Sequence, residues 1–281
     1  MFKHYLITRF NLRKTDWSVD KQNVAVLTDQ WHDNRFKIFN DFCFHSVKHQ
    51  TNTNFEWLVF FDETTAPKYR AIIANLKEQM PNFVPIFVDG MDAFLPTIQS
   101  ILSQCNEDYI ITSRIDNDDC LSIHYIEEVQ KRFNKQDYRA LDFIDGYTIQ
   151  ITPDVKVAKR LDQFNPFISL IERNNNPKSV WNVRHSHWKR EKRITQVKNL
   201  NIWASVIHQE NKVNGFGGFG HVDLEEFFQE FHLPSNQKNY IIQHNIPVKK
   251  WRMLSLKNAY RSYTNLFWKN IKRRLGVYKF K

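Results

Sequence analysis

Three carboxylates fall within four residues in Asp116-Asn117-Asp118-Asp119, just beyond the apolar run Tyr109-Ile110-Ile111-Thr112. Acids this close repel one another and raise each other's pKa unless a cation stands among them. Hard divalent ions such as Mg2+ or Mn2+ prefer oxygen ligands and use one or two carboxylates together with substrate phosphates. An ion held by Asp116 and Asp118 could bridge a diphosphate and neutralise the charge that develops on it as a leaving group. The plainer alternative is a solvated turn whose acids cap the next helix. The position of the cluster, at the end of a fourth strand in an alternating fold, favours a site.

The surrounding elements supply that position. His4–Thr8 reads as a strand, and Phe36, Phe39, Cys43 and Val47 recur at helical spacing within Trp31–Val47. Phe55–Phe61 is a second strand ending at Asp62, Lys68–Met80 a helix, and Phe83–Val88 a third strand whose Pro85 suits an edge. Met91–Gln104 reads as helix and precedes the fourth strand. Strands separated by helices need crossover connections, hence an α/β fold with a mainly parallel, Rossmann-like sheet flanked by helices. Ligands of such sheets bind beyond the carboxyl ends of the strands, which points to Arg9, Asp62 and the residues after Thr112. The second half is less regular: Phe143–Ile151 reads as one strand around Gly146, Asn201–His208 as strand or short helix, and Asp223–Phe231 as a short acidic helix. The expected organisation is a domain over residues 1–230 and a basic C-terminal extension over 231–281.

Charge supports that division. The net charge is +10, yet no acid follows Glu230 while twelve Lys or Arg do, leaving 28 basic against 30 acidic residues before it. The positive excess is therefore an arm and not a general nucleic-acid-binding surface. A content of 42% hydrophobic residues excludes general disorder. No apolar run reaches the roughly 20 residues of a membrane span, and MFKHYLITRF lacks the features of a secretory signal. Cys43, Cys105 and Cys120 are odd in number and spaced for neither zinc nor a disulfide framework, so free thiols in a reducing cytoplasm are expected.

Two segments together resemble the nucleotide-sugar glycosyltransferases of the A-type fold. A helical Ser-x-x-x-Gln-Thr element leading into an apolar strand that ends in Asp is matched by Ser46-Val47-Lys48-His49-Gln50-Thr51 and Asn54–Asp62; the later Asp-x-Asp is matched by Asp116-Asn117-Asp118-Asp119. Arg114–Asp119, with Trp203, Val206-Ile207-His208 and Asn211 downstream, resembles the bacterial rhamnosyltransferases of this fold. The chain departs from the pattern at Asp62-Glu63-Thr64-Thr65, where the group has Asp-Asp or Asp-Gly-Ser. The resemblance implies that Thr8, Arg9 and Asp62 line a nucleotide pocket and that Arg114 lies beside the phosphates or sugar. It further implies that Asp116 and Asp118 hold the metal and donor sugar, with Asp119 as ligand or orienting neighbour, and His208 makes a late metal or phosphate contact. The expected activity is metal-dependent transfer of a sugar, rhamnose among the candidates, from a nucleoside diphosphate donor to a surface-glycan or lipid-linked acceptor.

Other signals stay open. A general base for inverting transfer is sought in His185, His187, Asp223, Glu225 and Glu226, with His185 grouped with the three acids as the catalytic set. Gly215–Gly220 matches G-x-G-x-x-G but lacks its strand and its distant acid, leaving a mobile loop or a plain turn. In the tail Leu256, Tyr260, Tyr263, Phe267, Ile271 and Leu275 form a helical stripe beside basic residues, suited to an anionic membrane or to packing on the body. The expected location is cytoplasmic, with peripheral contact at the inner face of the membrane. The rivals are a metal-dependent nucleotidyltransferase or phosphohydrolase, and a nucleic-acid-binding module using the basic tail; no nucleic acid is expected as partner.

Overall fold

The structure, a computed structural model, describes residues 1–14, 26–209, 211 and 215–278, with backbone alone at 185 and 186. A seven-stranded sheet runs in the order β10-β6-β9-β4-β1-β2-β3. Its parallel half is β1 (Phe2–Arg9), β2 (Glu56–Asp62), β3 (Phe83–Val88) and β4 (Tyr109–Arg114), as expected, with Pro85 on the edge strand where its missing N–H is harmless. β9 (Ser169–Arg173) is antiparallel to β4 and to β6 (Tyr138–Phe143), and β10 (Ile194–Val197) closes the far edge parallel to β6. A smaller sheet, β5-β11-β7-β8, joins β5 (Cys120–Leu121), β7 (Asp145–Gln150), β8 (Lys156–Leu161) and β11 (Trp203–Ile207).

Burial on both faces explains the continuous apolar strands. Leu6, Val59, Phe61 and Ile111 face one core; their neighbours Ile7, Leu58, Phe60 and Ile110 face the other. The first core is covered by α1 (Asp29–Ile38), α3 (Pro67–Gln79) and α5 (Tyr125–Gln130), the second by α4 (Phe94–Ser103) and Trp181. Thr28 caps α1 by accepting the Trp31 N–H, and Pro67 opens α3 where no intrahelical N–H is lost. α1 continues through a π-turn, Phe39–Phe44, into α2 (His45–Lys48).

Two expectations change in the second half. Phe143–Ile151 is not one strand: the chain leaves the large sheet at Phe143 and enters the small one at Asp145. The Gly215–Gly220 segment is not a loose loop. Phe219 exchanges two 2.9 Å backbone bonds with Lys159 of β8, Gly220 N–H donates to Ser255, and the Asn258 amide donates to Gly218 O. A Cβ on Gly218 would lie 2.5 Å from Ala158 Cβ, so this strap sits flat against the sheet. Beyond it, α6 (Leu224–Glu230) and α7 (Ser235–His244) pack Phe227, Phe228 and Ile241 on the small sheet, and α8 (Arg252–Arg274) crosses the strap. The three cysteines are free, Cys43 and Cys120 being buried.

Gly146 makes the change of sheet possible: a Cβ there would stand 2.4 Å from the indole of Trp203, itself stacked on Phe167 and donating to Phe143 O. Gly146→Ala is expected to lower stability by about 1–3 kcal/mol through overpacking, read as an earlier denaturant midpoint; an unmoved midpoint would show the indole free to shift.

Candidate active site

The acid turn closes on itself through Asp119 N–H to Asp116 O, 3.2 Å, at the carboxyl end of β4. Asn117 fastens it to β1: its amide donates to Phe10 O at 2.8 Å and its carbonyl accepts Arg35 Nη1 at 3.1 Å. Cys43, in the π-turn, donates its thiol to Asp116 O at 3.6 Å. The Ser46–Thr51 motif holds the chain just beyond the turn. Ser46 Oγ accepts the Leu121 N–H, Gln50 donates to Ser122 O and accepts from Ile126 N–H, and Thr51 N–H donates to Ile123 O. The two motifs that carry the resemblance thus touch, one bracing the other.

Asp118 is the electrostatic centre. Its Oδ2 accepts from Arg35 Nη1 at 2.9 Å, His208 Nε2 at 2.9 Å and Asn211 Nδ2 at 3.2 Å. Asn211 is held in turn by the His208 N–H at 2.6 Å. Burial opposes the charge on Asp118, but the Arg35 guanidinium and His208 outweigh it and draw the carboxyl down to about 2. Asp119 is opposite in character. Buried, and beside Asp118 and Asp116, it is pushed well above the usual carboxylate range; Val206 N–H holds Oδ1 at 2.9 Å while Oδ2 is buried with no partner. Asp116 is part-exposed and meets Arg114 Nη2 at 3.1 Å.

Arg114 lies over Trp181, 3.9 Å from the ring centroid, and the Trp181 indole N–H donates to Ile7 O. Both line a cleft of about 430 Å³ with Arg9, Lys14, Phe94 and Arg184, at the carboxyl ends of β1 and β4. Four cations and an aromatic plane beside an acid turn suit a phosphorylated, planar ligand.

The other expected residues lie elsewhere. Thr8 is fully buried and accepts Trp57 Nε1–H at 2.9 Å, so its hydroxyl is spent inside the core and not in the cleft. Asp62 is buried too. Burial raises its carboxyl, but Thr64 and Arg13 hold it below its ordinary value; its oxygens accept Arg13 N–H and Nε–H and the Thr64 N–H and hydroxyl. Thr64 thereby fills the place where the departure from the group's pattern occurs. His208, read as a contact for metal or phosphate, stands at the acid turn with Nε2 on Asp118. Asp223 caps α6 through the Glu225 and Glu226 N–H groups, and those two acids are exposed on its wet face. The side chain of His185 lies outside the described residues; its backbone opens the short helix His185–Arg190 that follows the cleft. Arg35 and Trp181 were not anticipated. Arg35 stands four residues from Trp31 and from Phe39, on the apolar stripe of its helix, which marks it as inward-facing.

Among the described residues no group of three or more His, Cys, Asp or Glu could hold a metal ion. What the turn offers is the carboxylate of Asp116, part-exposed, and that of Asp118, which takes its Arg35, His208 and Asn211 bonds on Oδ2. These oxygens fit a hard ion that draws its remaining ligands from a bound diphosphate, not a metal centre made by protein alone.

An open, mainly parallel sheet whose carboxyl ends carry a basic cleft and an acid turn has the layout of a glycosyltransferase. The chain belongs to the glycosyltransferase family described as "Putative rhamnosyl transferase", whose model matches residues 3–218. No curated protein matches it. Among solved structures, S. aureus TarS 1–349 in complex with UDP-GlcNAc is similar at 12% identity, over 85% of this chain and 70% of that one, with a TM-score of 0.46. HddC from Yersinia pseudotuberculosis is similar at 9% identity, over 70% and 90%, with a TM-score of 0.39.

Removing Arg35 leaves a buried carboxylate short of its main counter-charge. Arg35→Met is expected to cost about 3–5 kcal/mol at pH 7. Against burial, Arg35 and His208 draw the Asp118 carboxyl from its ordinary 3.8 down to about 2, so the stabilisation is present above pH 3.8 and is lost as pH falls towards 2. The penalty of the substitution should therefore shrink on acidification, as the unpaired carboxyl takes up a proton. Denaturant titrations at pH 7 and pH 3 measure this; an equal penalty at both would sink the charge account.

Proposed function

We propose that the protein transfers a sugar, rhamnose by the family description, from a nucleoside diphosphate donor seated in the Arg9–Arg114–Trp181 cleft. The supporting observation is the position of Arg114, which joins the cleft to the acid turn through Asp116. In this reading the base or ribose lies against Trp181, and Arg9, Lys14 and Arg114 take the phosphates. The acceptor hydroxyl attacks the anomeric carbon, the bond to the diphosphate breaks, and the guanidinium groups offset the charge on the departing oxygen. Asp116 and Asp118 are the residues that would hold an Mg2+ or Mn2+ ion shared with the diphosphate, which would supply further charge neutralisation. His185 is the proposed base for the acceptor proton, because the helix it opens directly follows cleft residues Asn182, Val183 and Arg184. Asp119, its ionisation discouraged by burial and by Asp118 and Asp116, positions the turn against β11 through the Val206 N–H.

The acceptor is proposed to be a glycan or lipid-linked saccharide reached at an anionic membrane surface. No helix among the described residues is long and apolar enough to cross a membrane. α8 instead exposes Leu256, Tyr260, Phe267 and Trp268, with Leu275 just past its end, beside Lys257, Lys272 and Arg274, a composition suited to lying at the interface.

Nucleoside diphosphates and their sugars should raise the melting temperature, and turnover should release free nucleoside diphosphate. Arg114→Ala should weaken nucleotide binding about tenfold or more, the worth of one charge-assisted hydrogen bond. Release of pyrophosphate, or nucleotide binding indifferent to the substitution, would overturn this reading. The full chain should also sediment with phosphatidylglycerol vesicles and less so with both Phe267 and Trp268 changed to Ala; equal sedimentation would remove the membrane contact.

A further inference from the structure

A second cavity, of about 440 Å³, lies between the end of β8, the glycine strap and the inner face of α8. It differs in chemistry from the donor cleft. Arg160, Arg261 and Lys269 line it, against a single acid, Asp162. Asp162 is already met by Arg160 at 3.7 Å and by Lys269 at 3.5 Å, while Arg261 makes no ion pair with any acid among the described residues. The cavity therefore carries an uncompensated positive charge. Its remaining lining is rich in hydroxyl and amide groups, including Asn258, Ser262 and Asn265.

One of those amides is out of balance. Gln163 is buried; its nitrogen donates to Asn270 Oδ1 at 2.8 Å, but its carbonyl oxygen is buried without a donor. A buried acceptor is unfavourable until an O–H or N–H reaches it. A wall with surplus positive charge and an unmet acceptor is matched by a ligand that bears both an anion and hydroxyl groups. The cavity is also tied to the acid turn. Arg160 donates to Ser205 Oγ at 3.4 Å, and the next residue, Val206, holds Asp119 through its backbone N–H.

We propose that this cavity is an acceptor subsite for a phosphate-bearing saccharide. Its phosphate is held by Arg261 with Arg160 and Lys269, and a sugar hydroxyl donates to Gln163 Oε1. The strap has a role in this arrangement: Gly215 and Gly217 line the cavity without side chains, while Gly218 and Phe219 pin it to β8. The word acceptor rests on the sugar-transfer reading above; the binding of a sugar phosphate does not.

The test is calorimetric titration of the full chain with glucose 1-phosphate, glucose and inorganic phosphate, without and with a saturating nucleoside diphosphate, repeated for Arg261→Gln. Arg261 is exposed and unpaired, so this variant is expected to fold, and its nucleoside diphosphate affinity serves as the control. Glucose 1-phosphate should bind more tightly than either fragment, persist beside the nucleotide, and weaken about fivefold in the variant, as befits one solvent-facing charge. Displacement by the nucleotide, equal binding of inorganic phosphate, or insensitivity to Arg261→Gln would each overturn the proposal. Loss of phosphatidylglycerol vesicle binding in the variant with sugar phosphate binding intact would assign the cations to a lipid headgroup, and overturn it as well. Failure of every nucleotide to bind, with Arg261-dependent sugar phosphate binding retained, would sink the donor reading and leave this one standing.

Discussion

A carboxylate removed from water must be given counter-charge and hydrogen bonds, and much of this site is arranged to supply them to Asp118. One oxygen collects a guanidinium from α1, an imidazole from just past β11 and an amide three residues further on. Its neighbour Asp119 meets the same problem by the other route. It sits deeper, its charge is discouraged by burial and by Asp118, and it is retained by one backbone N–H. Adjacent acids are therefore pushed in opposite directions, by environment and not by type. Asp116, part in solvent and paired with Arg114, is the most exposed of the three.

The scaffold around the turn is correspondingly redundant. Asn117 ties it to β1, Cys43 touches it from the π-turn, and Ser46 and Gln50 grip the chain that follows. Glu230, at the end of α6, accepts the Ile123 N–H and the Ser122 hydroxyl, so the C-terminal elements reach the same few residues. Side chains in the cleft are themselves braced, Arg114 by the face of Trp181 and Trp181 by Ile7 O. Preorganisation of this sort allows a site to meet developing charge without first rearranging.

What could be read from sequence follows from where each strand lies. β1, β2 and β4 are covered on both faces and each carries an unbroken apolar run, so their ends, and with them the acid turn, were legible. The same continuity hides direction: nothing in Leu6-Ile7-Thr8 tells which face Thr8 occupies, and it proves to face Trp57. β8 and β10 sit at sheet edges and are short and partly polar, as Lys156–Leu161 illustrates, so they carried little signal. Phe143 to Ile151 looked like one strand because both halves are apolar, although Ile144 carries the chain from one sheet to the other. Arg35 escaped notice because a charged residue in a helix is ordinarily solvated; its inward role depends on Asp118, 83 residues away.

That separation bears on how the protein folds. The partners of Asp118 lie 83, 90 and 93 residues from it along the chain. Contacts of such span come at the expense of loop entropy before they stabilise anything. A chain with β1, β2 and β4 aligned, but with β11 not yet docked, would have the acid turn in place with Arg114 on Asp116 but only Arg35 to neutralise Asp118. Docking of β11 would then add His208 and Asn211 together with the Val206 clasp on Asp119. Until that docking the turn would be incomplete, with the Asp118 charge matched by Arg35 alone.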